Sequence, residues 1–168
     1  MVCEPHSIHS RGHKAQKGRD GGLIKKIHHV AIAVSDLDSA VATYREVLGV
    51  EPTIREYEPH NLRWAIFPLG ESEIQLCQNI KPLVGPTTPN ETPVSRRYHD
   101  FVRTHGEGLH HIALQVESVL ETISGIKSKS VTIAGQPVTD SKPNIEPQAR
   151  LVFLEAQGVN VEMIQIDD

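Results

Sequence analysis

Apolar and polar residues alternate in two short runs that share one phrase: His28-His29-Val30-Ala31-Ile32-Ala33-Val34 and His110-His111-Ile112-Ala113-Leu114-Gln115-Val116. A period of two predicts a strand whose successive side chains point to opposite faces. On strict alternation, Val30, Ile32 and Val34 share a face with His28, while His29, Ala31 and Ala33 take the other. The second run divides the same way, with His111, Ala113 and Gln115 facing away from His110, Ile112, Leu114 and Val116. The branched face suits packing beneath a helix. The other carries a histidine followed by small residues, which leave room for a cavity.

The phrase belongs to a longer internal repeat. After the first strand, Ser35 offers a cap and Leu37, Ala40, Val41, Tyr44, Val47 and Leu48 recur at helical spacing up to Gly49. After the second, Ser118, Val119, Leu120, Ile123 and Ile126 predict a shorter helix with Gly125 inside it. Strand-like runs follow each helix: Glu51–Glu58, Leu62–Leu69 and Glu73–Gln78 in the first half, and Val131–Ile133, Arg150–Glu155 and Val159–Ile166 in the second. Asn79–Pro93 and Ala134–Gln148 carry several prolines and read as loops, and Val94–Thr104 reads as one more helix. The closing strands correspond too, with Gln75 in the place of Glu162. The fold class expected is α+β: two paired βαβββ modules in a curved, open, eight-stranded mixed sheet.

Composition narrows the classes. The 168 residues suit one domain or two small halves sharing a core, and 38% hydrophobic content is enough to bury one. No apolar run reaches the roughly 18 residues of a membrane helix. A net charge of −4 argues against a nucleic-acid partner. With only Cys3 and Cys77, no disulfide framework is expected, and a reducing compartment is the simpler reading: cytoplasmic, or the mitochondrial matrix in a eukaryote. Residues 1–22 are polar and lack periodicity, so they read as a disordered tail. The remainder, 23–168, reads as a single domain with module one at 26–78, a linker at 79–107 and module two at 108–166.

His29, Gln75, His111 and Glu162 are the candidate site. A solvated strand face would also be polar, so polarity alone says little. The residue types at equivalent places in a duplicated unit say more. Imidazole nitrogen and carboxylate oxygen suit a divalent cation such as zinc, cobalt, manganese, nickel or iron, with positions left open for water or substrate. Trp64 and Phe67 read as core or cavity wall, and Arg96, Arg97 and Arg103 as a solvated helix face open to an anionic substrate.

Ile27–Val34, Tyr44-Arg45-Glu46-Val47-Leu48-Gly49, Gly106–Ala113 and Val159-Asn160-Val161-Glu162 resemble methylmalonyl-CoA epimerases of the vicinal oxygen chelate superfamily, which also holds glyoxalase I and extradiol dioxygenases. The resemblance spans Lys26–Ile166. It implies the paired-module fold, a divalent metal on His29, Gln75, His111 and Glu162, an acyl-CoA thioester as substrate and a homodimer. The implied reaction is a 1,1-proton shift between carboxylate and thioester, through a metal-stabilised enolate, with Glu162 as one acid/base. Bacterial epimerases of this kind carry a second carboxylate near the positions of Trp64 and Ala65; none occurs in Leu62–Leu69, and Glu73 or water could substitute. A glyoxalase I-type lyase, an iron(II) extradiol dioxygenase and a metal-free binding protein are the rival readings.

Overall fold

A computed structural model describes residues 24–81, 93–126, 131–140 and 149–166. The tail at 1–22 lies outside them. The first unit runs β1 (Ile24–Ala33), α1 (Leu37–Leu48), β2 (Thr53–Tyr57), β3 (Leu62–Leu69) and β4 (Ser72–Asn79), with a 3-10 turn at Glu58–His60 between β2 and β3. The second runs β5 (Gly108–Val116), α3 (Val119–Ser124), β6 (Val131–Asp140), β7 (Ala149–Ala156) and β8 (Val159–Ile166), and α2 (Pro93–His105) stands between the units. All the strands join one open mixed sheet in the order β2-β3-β4-β1-β5-β8-β7-β6. The units meet where β1 and β5 pair antiparallel, and each first strand runs parallel to its own closing strand, β1 to β4 and β5 to β8. The duplicated pattern in the sequence is thus a duplicated half-sheet.

Local chemistry sets the helices. Asp36, not Ser35, caps α1, its side chain accepting the Ser39 N–H at 3.1 Å. Ser35 instead directs its N–H and hydroxyl to Glu107 Oε1, tying the end of β1 to the entry of β5. Gly49 ends α1 at φ 67°, a left-handed conformation that glycine adopts without a Cβ clash. Leu37 and Val41 sink onto Ala65, Phe67 and Leu76, with Tyr44 and Leu48 packed alongside. In the second unit Ser118 caps α3, and Gly125 ends that helix rather than lying inside it. Val119 then packs on Val116, Val152, Leu154 and Met163. These two clusters cover one face of the sheet. α2 lies against the other, where Tyr98 is buried among Ala31, Ala33, Leu62 and Cys77.

The third strand of the second unit is longer than its sequence suggests. Residues 134–140, expected in a loop, continue β6 and pair with β7 through Ala134↔Phe153 and Asp140↔Ala149. β6 is an edge strand, and its register breaks between Ala134 and Val138. Pro137 falls within that break, where a missing N–H costs no ladder bond. No helix among the described residues is long and apolar enough to cross a membrane.

Leu76 is fully buried, one residue past Gln75 on β4. Leu76→Ala is expected to cost about 2–5 kcal/mol in denaturant unfolding. A loss well below 1 kcal/mol would contradict this packing.

Candidate metal centre

Strand register brings the four candidate residues together around two alanines. Ala31 on β1 lies between Gln75 on β4 and His111 on β5. Ala113 on β5 lies between His29 on β1 and Glu162 on β8. Both alanines are fully buried. Each contributes only a methyl group, so the space above them is open to the longer side chains on either side. His29, His111 and Glu162 are themselves buried, at 6%, 1% and 5% exposure.

The polar ends of those three converge. His29 Nε2 lies 3.0 Å from His111 Nε2, His111 Nε2 lies 2.9 Å from Glu162 Oε2, and His29 Nε2 lies 3.9 Å from the same oxygen. Donors about 2.0–2.2 Å from a shared ion stand roughly 3.0–3.5 Å apart. The observed spacings bracket that range, so the three residues could hold a metal ion as they stand. Gln75 joins them along the cavity wall. Its Nε2 donates to Glu73 Oε2 at 2.9 Å, which leaves the amide oxygen as the atom suited to a cation. Glu73 is therefore engaged with Gln75 and does not line the cavity.

Burial sets the protonation states. It pushes His29 down to about 4 despite the opposing pull of Glu162, so the imidazole is neutral near pH 7. Burial alone would push Glu162 up. The hydrogen bond from His111 and the surrounding imidazoles outweigh it and hold the carboxyl below its ordinary value. A neutral imidazole beside an ionised carboxylate is the form that accepts a cation.

His28 and His110 depart from strict alternation. Ile27 and His29 face the consecutive residues Leu114 and Ala113, so His28 is an extra residue in β1. Ala31 and Ile32 face His111 and Leu109, so His110 is the extra residue in β5. Each bulge re-aims the first histidine of its pair. His28 Nδ1 lies 2.8 Å from His29 Nδ1, and His110 Nδ1 lies 2.7 Å from His111 Nδ1. The expectation that these first histidines turn away with the branched residues is thereby corrected. Burial pushes His110 down to about 3.

The cavity over the centre has a volume of about 160 Å³. Besides His29, Gln75 and Glu162, its lining includes Tyr57, His60, Trp64, Cys77 and Tyr98. Trp64, read as core or wall, is wall. Tyr57 ends β2 and His60 closes the turn after it, with ring centroids 4.9 Å apart, and periodicity has no means of singling out a side chain such as His60 in a turn. Arg97 is not on a solvated face: its guanidinium lies 4.5 Å over the Phe153 ring, and it is half-buried. Burial pushes the Cys77 thiol up to about 12 and raises the Tyr98 phenol well above its ordinary value, so both stay protonated.

Two outcomes follow. Zinc at about 100 times its Kd is expected to stabilise the wild type by about 2.7 kcal/mol. Glu162→Gln should lose most of that increment in thermal unfolding with and without EDTA, and an equal increment in both proteins would contradict the site. In a Cys3→Ala background, Cys77 is expected to resist thiol reagents at pH 8 until the protein unfolds, because the reactive species is the thiolate. Rapid labelling of native protein would contradict its burial.

Comparison with known proteins bears on what this centre serves. Residues 28–146 match the family model described as Glyoxalase/Bleomycin resistance protein/Dioxygenase superfamily. The chain is 26% identical over 150 residues to the ethylmalonyl-CoA/methylmalonyl-CoA epimerase of Cereibacter sphaeroides, covering 86% of this chain and 98% of the relative. It is 27% identical over 146 residues to a 2-epi-5-epi-valiolone epimerase of an Actinomyces species, covering 83% of this chain and 79% of that one. A solved methylmalonyl-CoA epimerase in complex with methylmalonyl-CoA and NH4+ superposes with a TM-score of 0.64 at 25% identity, covering 85% of this chain and 95% of that one. With its paired modules and buried His-His-Glu cluster, the chain belongs to the glyoxalase/bleomycin resistance protein/dioxygenase superfamily and is a methylmalonyl-CoA epimerase-like member of it.

Proposed function

We propose that this protein catalyses a 1,1-proton shift at the carbon between a carboxylate and a thioester, on methylmalonyl-CoA or a related acyl-CoA, with a divalent cation held by His29, Gln75, His111 and Glu162. The observation that carries this reading is the convergence of His29, His111 and Glu162 on one point beneath a small cavity. A cavity on the order of 150 Å³ accepts a benzene-sized group. The 160 Å³ here therefore suits a short branched acyl head and leaves the nucleotide part of a CoA outside. The similarity to acyl-CoA epimerases over most of the chain supports the same choice.

When bound, the cation supplies positive charge beside the oxygens on which negative charge gathers as the proton leaves. His29 and His111 would hold it through Nε2, Gln75 through its amide oxygen and Glu162 through one carboxylate oxygen. Glu162 keeps a second oxygen on the same carboxylate and takes the proton from the substrate carbon. Its ionised state at neutral pH suits that step. The return proton needs a donor on another wall. The position expected to carry a second carboxylate holds Trp64, and Glu73 is engaged by Gln75. His60, contributed by the other unit of the sheet, is the imidazole lining the cavity outside the proposed ligand set, and it takes the donor role. The free sheet edges at β2 and β6 favour self-association, so the working form is taken as a homodimer.

Metal-loaded protein in heavy water is expected to introduce deuterium at C2 of methylmalonyl-CoA, read by mass spectrometry. No incorporation with any of the divalent metals named above would overturn the assignment. His60→Gln should still exchange the C2 proton of one epimer while losing inversion by roughly 10²-fold or more. Inversion at the wild-type rate would remove His60 from the reaction.

A further inference from the structure

The turn that carries His60 is fastened to β4 by the residue that follows it. Asn61 stands at φ 52°, in the left-handed region, where asparagine is enriched over other non-glycine residues. Its N–H closes the turn on the Glu58 carbonyl at 2.8 Å and so is spent within the turn. The β3–β4 ladder ends at Leu62↔Asn79, one residue short of Asn61. From there the carbonyl and side chain of Asn61 carry the pairing on. The carbonyl accepts the Ile80 N–H at 3.0 Å and the Asn79 side-chain amide at 3.3 Å. The side-chain oxygen accepts the Lys81 N–H at 2.8 Å, and the side-chain nitrogen donates to the Lys81 carbonyl at 2.9 Å. A carboxamide has both the donor and the acceptor of a peptide group, so the Asn61 side chain adds a rung where the main chain has turned away.

This clasp lies beside the cavity. β4 brings Gln75 and Cys77 to the cavity wall, and the clasp grips the chain at the end of that strand. His60, the residue before Asn61, lines the same cavity. Tyr57, also on the wall, sets its ring against the His60 imidazole with centroids 4.9 Å apart. The imidazole is thus held twice: Asn61 ties its backbone to β4, and Tyr57 backs its ring. A connecting turn is ordinarily among the more mobile parts of a fold. Five hydrogen bonds meeting at Asn61 tie this one down.

We propose that Asn61 is a positioning residue for the reaction: by clasping the β2–β3 turn to the end of β4, it holds His60 on the cavity wall in the place from which the proton is returned. This rests on the donor role given to His60 above. The turn is then a preset wall of the cavity and not a lid. Small displacements of a reacting group are costly, and a misplacement of about 1 Å from a change far from the chemistry can cost on the order of 10²-fold in rate. The dependence is one-sided. Glu162 reaches the cavity from β8, in the other half of the sheet, so proton removal does not draw on the clasp.

Asn61→Gly tests this, because glycine keeps the left-handed backbone and its main-chain bonds while deleting both side-chain bonds to Lys81. Amide exchange in heavy water reads the clasp without substrate or metal. The Lys81 N–H is expected to exchange more slowly in the wild type than in Asn61→Gly, and equal rates overturn the proposal. With cobalt-loaded protein and methylmalonyl-CoA, Asn61→Gly is expected to keep its cobalt affinity and the C2 exchange of one epimer, while inversion falls roughly 10–100-fold. A merely structural role would lower exchange and inversion together or leave both unchanged, and either result overturns the proposal. Combined with His60→Gln, Asn61→Gly should add no further loss of inversion, since both act through one group; additive losses overturn it. If His60→Gln alone inverts at the wild-type rate, the donor reading fails and the proposal with it. If His60→Gln loses inversion and Asn61→Gly does not, the donor reading stands and only the role of Asn61 is overturned.

Discussion

The centre depends on the antiparallel pairing of β1 with β5. That one ladder sets Ala31 against His111 and Ala113 against His29, and the parallel strands outside it add Gln75 and Glu162 at matching positions. A one-residue slip would turn every side chain to the other face. Each half-sheet can bury its own helix cluster, yet neither half holds more than one histidine and one closing-strand residue of the proposed ligand set. The chemistry exists only where the two halves join, so folding of the whole sheet and assembly of the centre are one event.

Burial gives the assembled groups their character. His29 and His110 are kept neutral and Glu162 is kept ionised in a space closed to most water. Cys77 and Tyr98, on the same wall, are held protonated. The Glu162 carboxylate and the neutral His29 imidazole meet at a buried point with no compensating positive charge between them. A divalent cation would supply it, and the proposed enolate-forming reaction calls on the same charge. The small cavity above then restricts what can approach to a compact group.

Much of this was legible in the sequence, for a physical reason. Strand alternation sets His29 and His111 apart from His28 and His110, and the duplicated phrase puts those two at equivalent places. The same comparison pairs Gln75 with Glu162. β3 and β8 match the expected ranges because their alternation is clean and their ends are marked by Gly70 and by the Gln157-Gly158 turn. The failures share a cause: they depend on contacts between distant segments. The bulges at His28 and His110 are properties of cross-strand register and do not show in a single strand's periodicity. Ser35 looks like a cap until Glu107, far along the chain, occupies it. β6 beyond Ile133 carries Gly135 and Pro137 and reads as loop, but at a sheet edge those residues are tolerated. The place of Arg97 over Phe153 and of Tyr98 against His110 follows from where α2 docks, which its own pattern does not specify.

The central claim is that His29, His111 and Glu162 form one metal centre at the junction of the halves. Anomalous diffraction from crystals of cobalt-loaded protein tests it most directly. The account predicts a single strong peak per chain, about 2.0–2.2 Å from His29 Nε2, His111 Nε2 and a Glu162 carboxylate oxygen. A peak elsewhere on the chain, with those three side chains still in contact with one another, would contradict it.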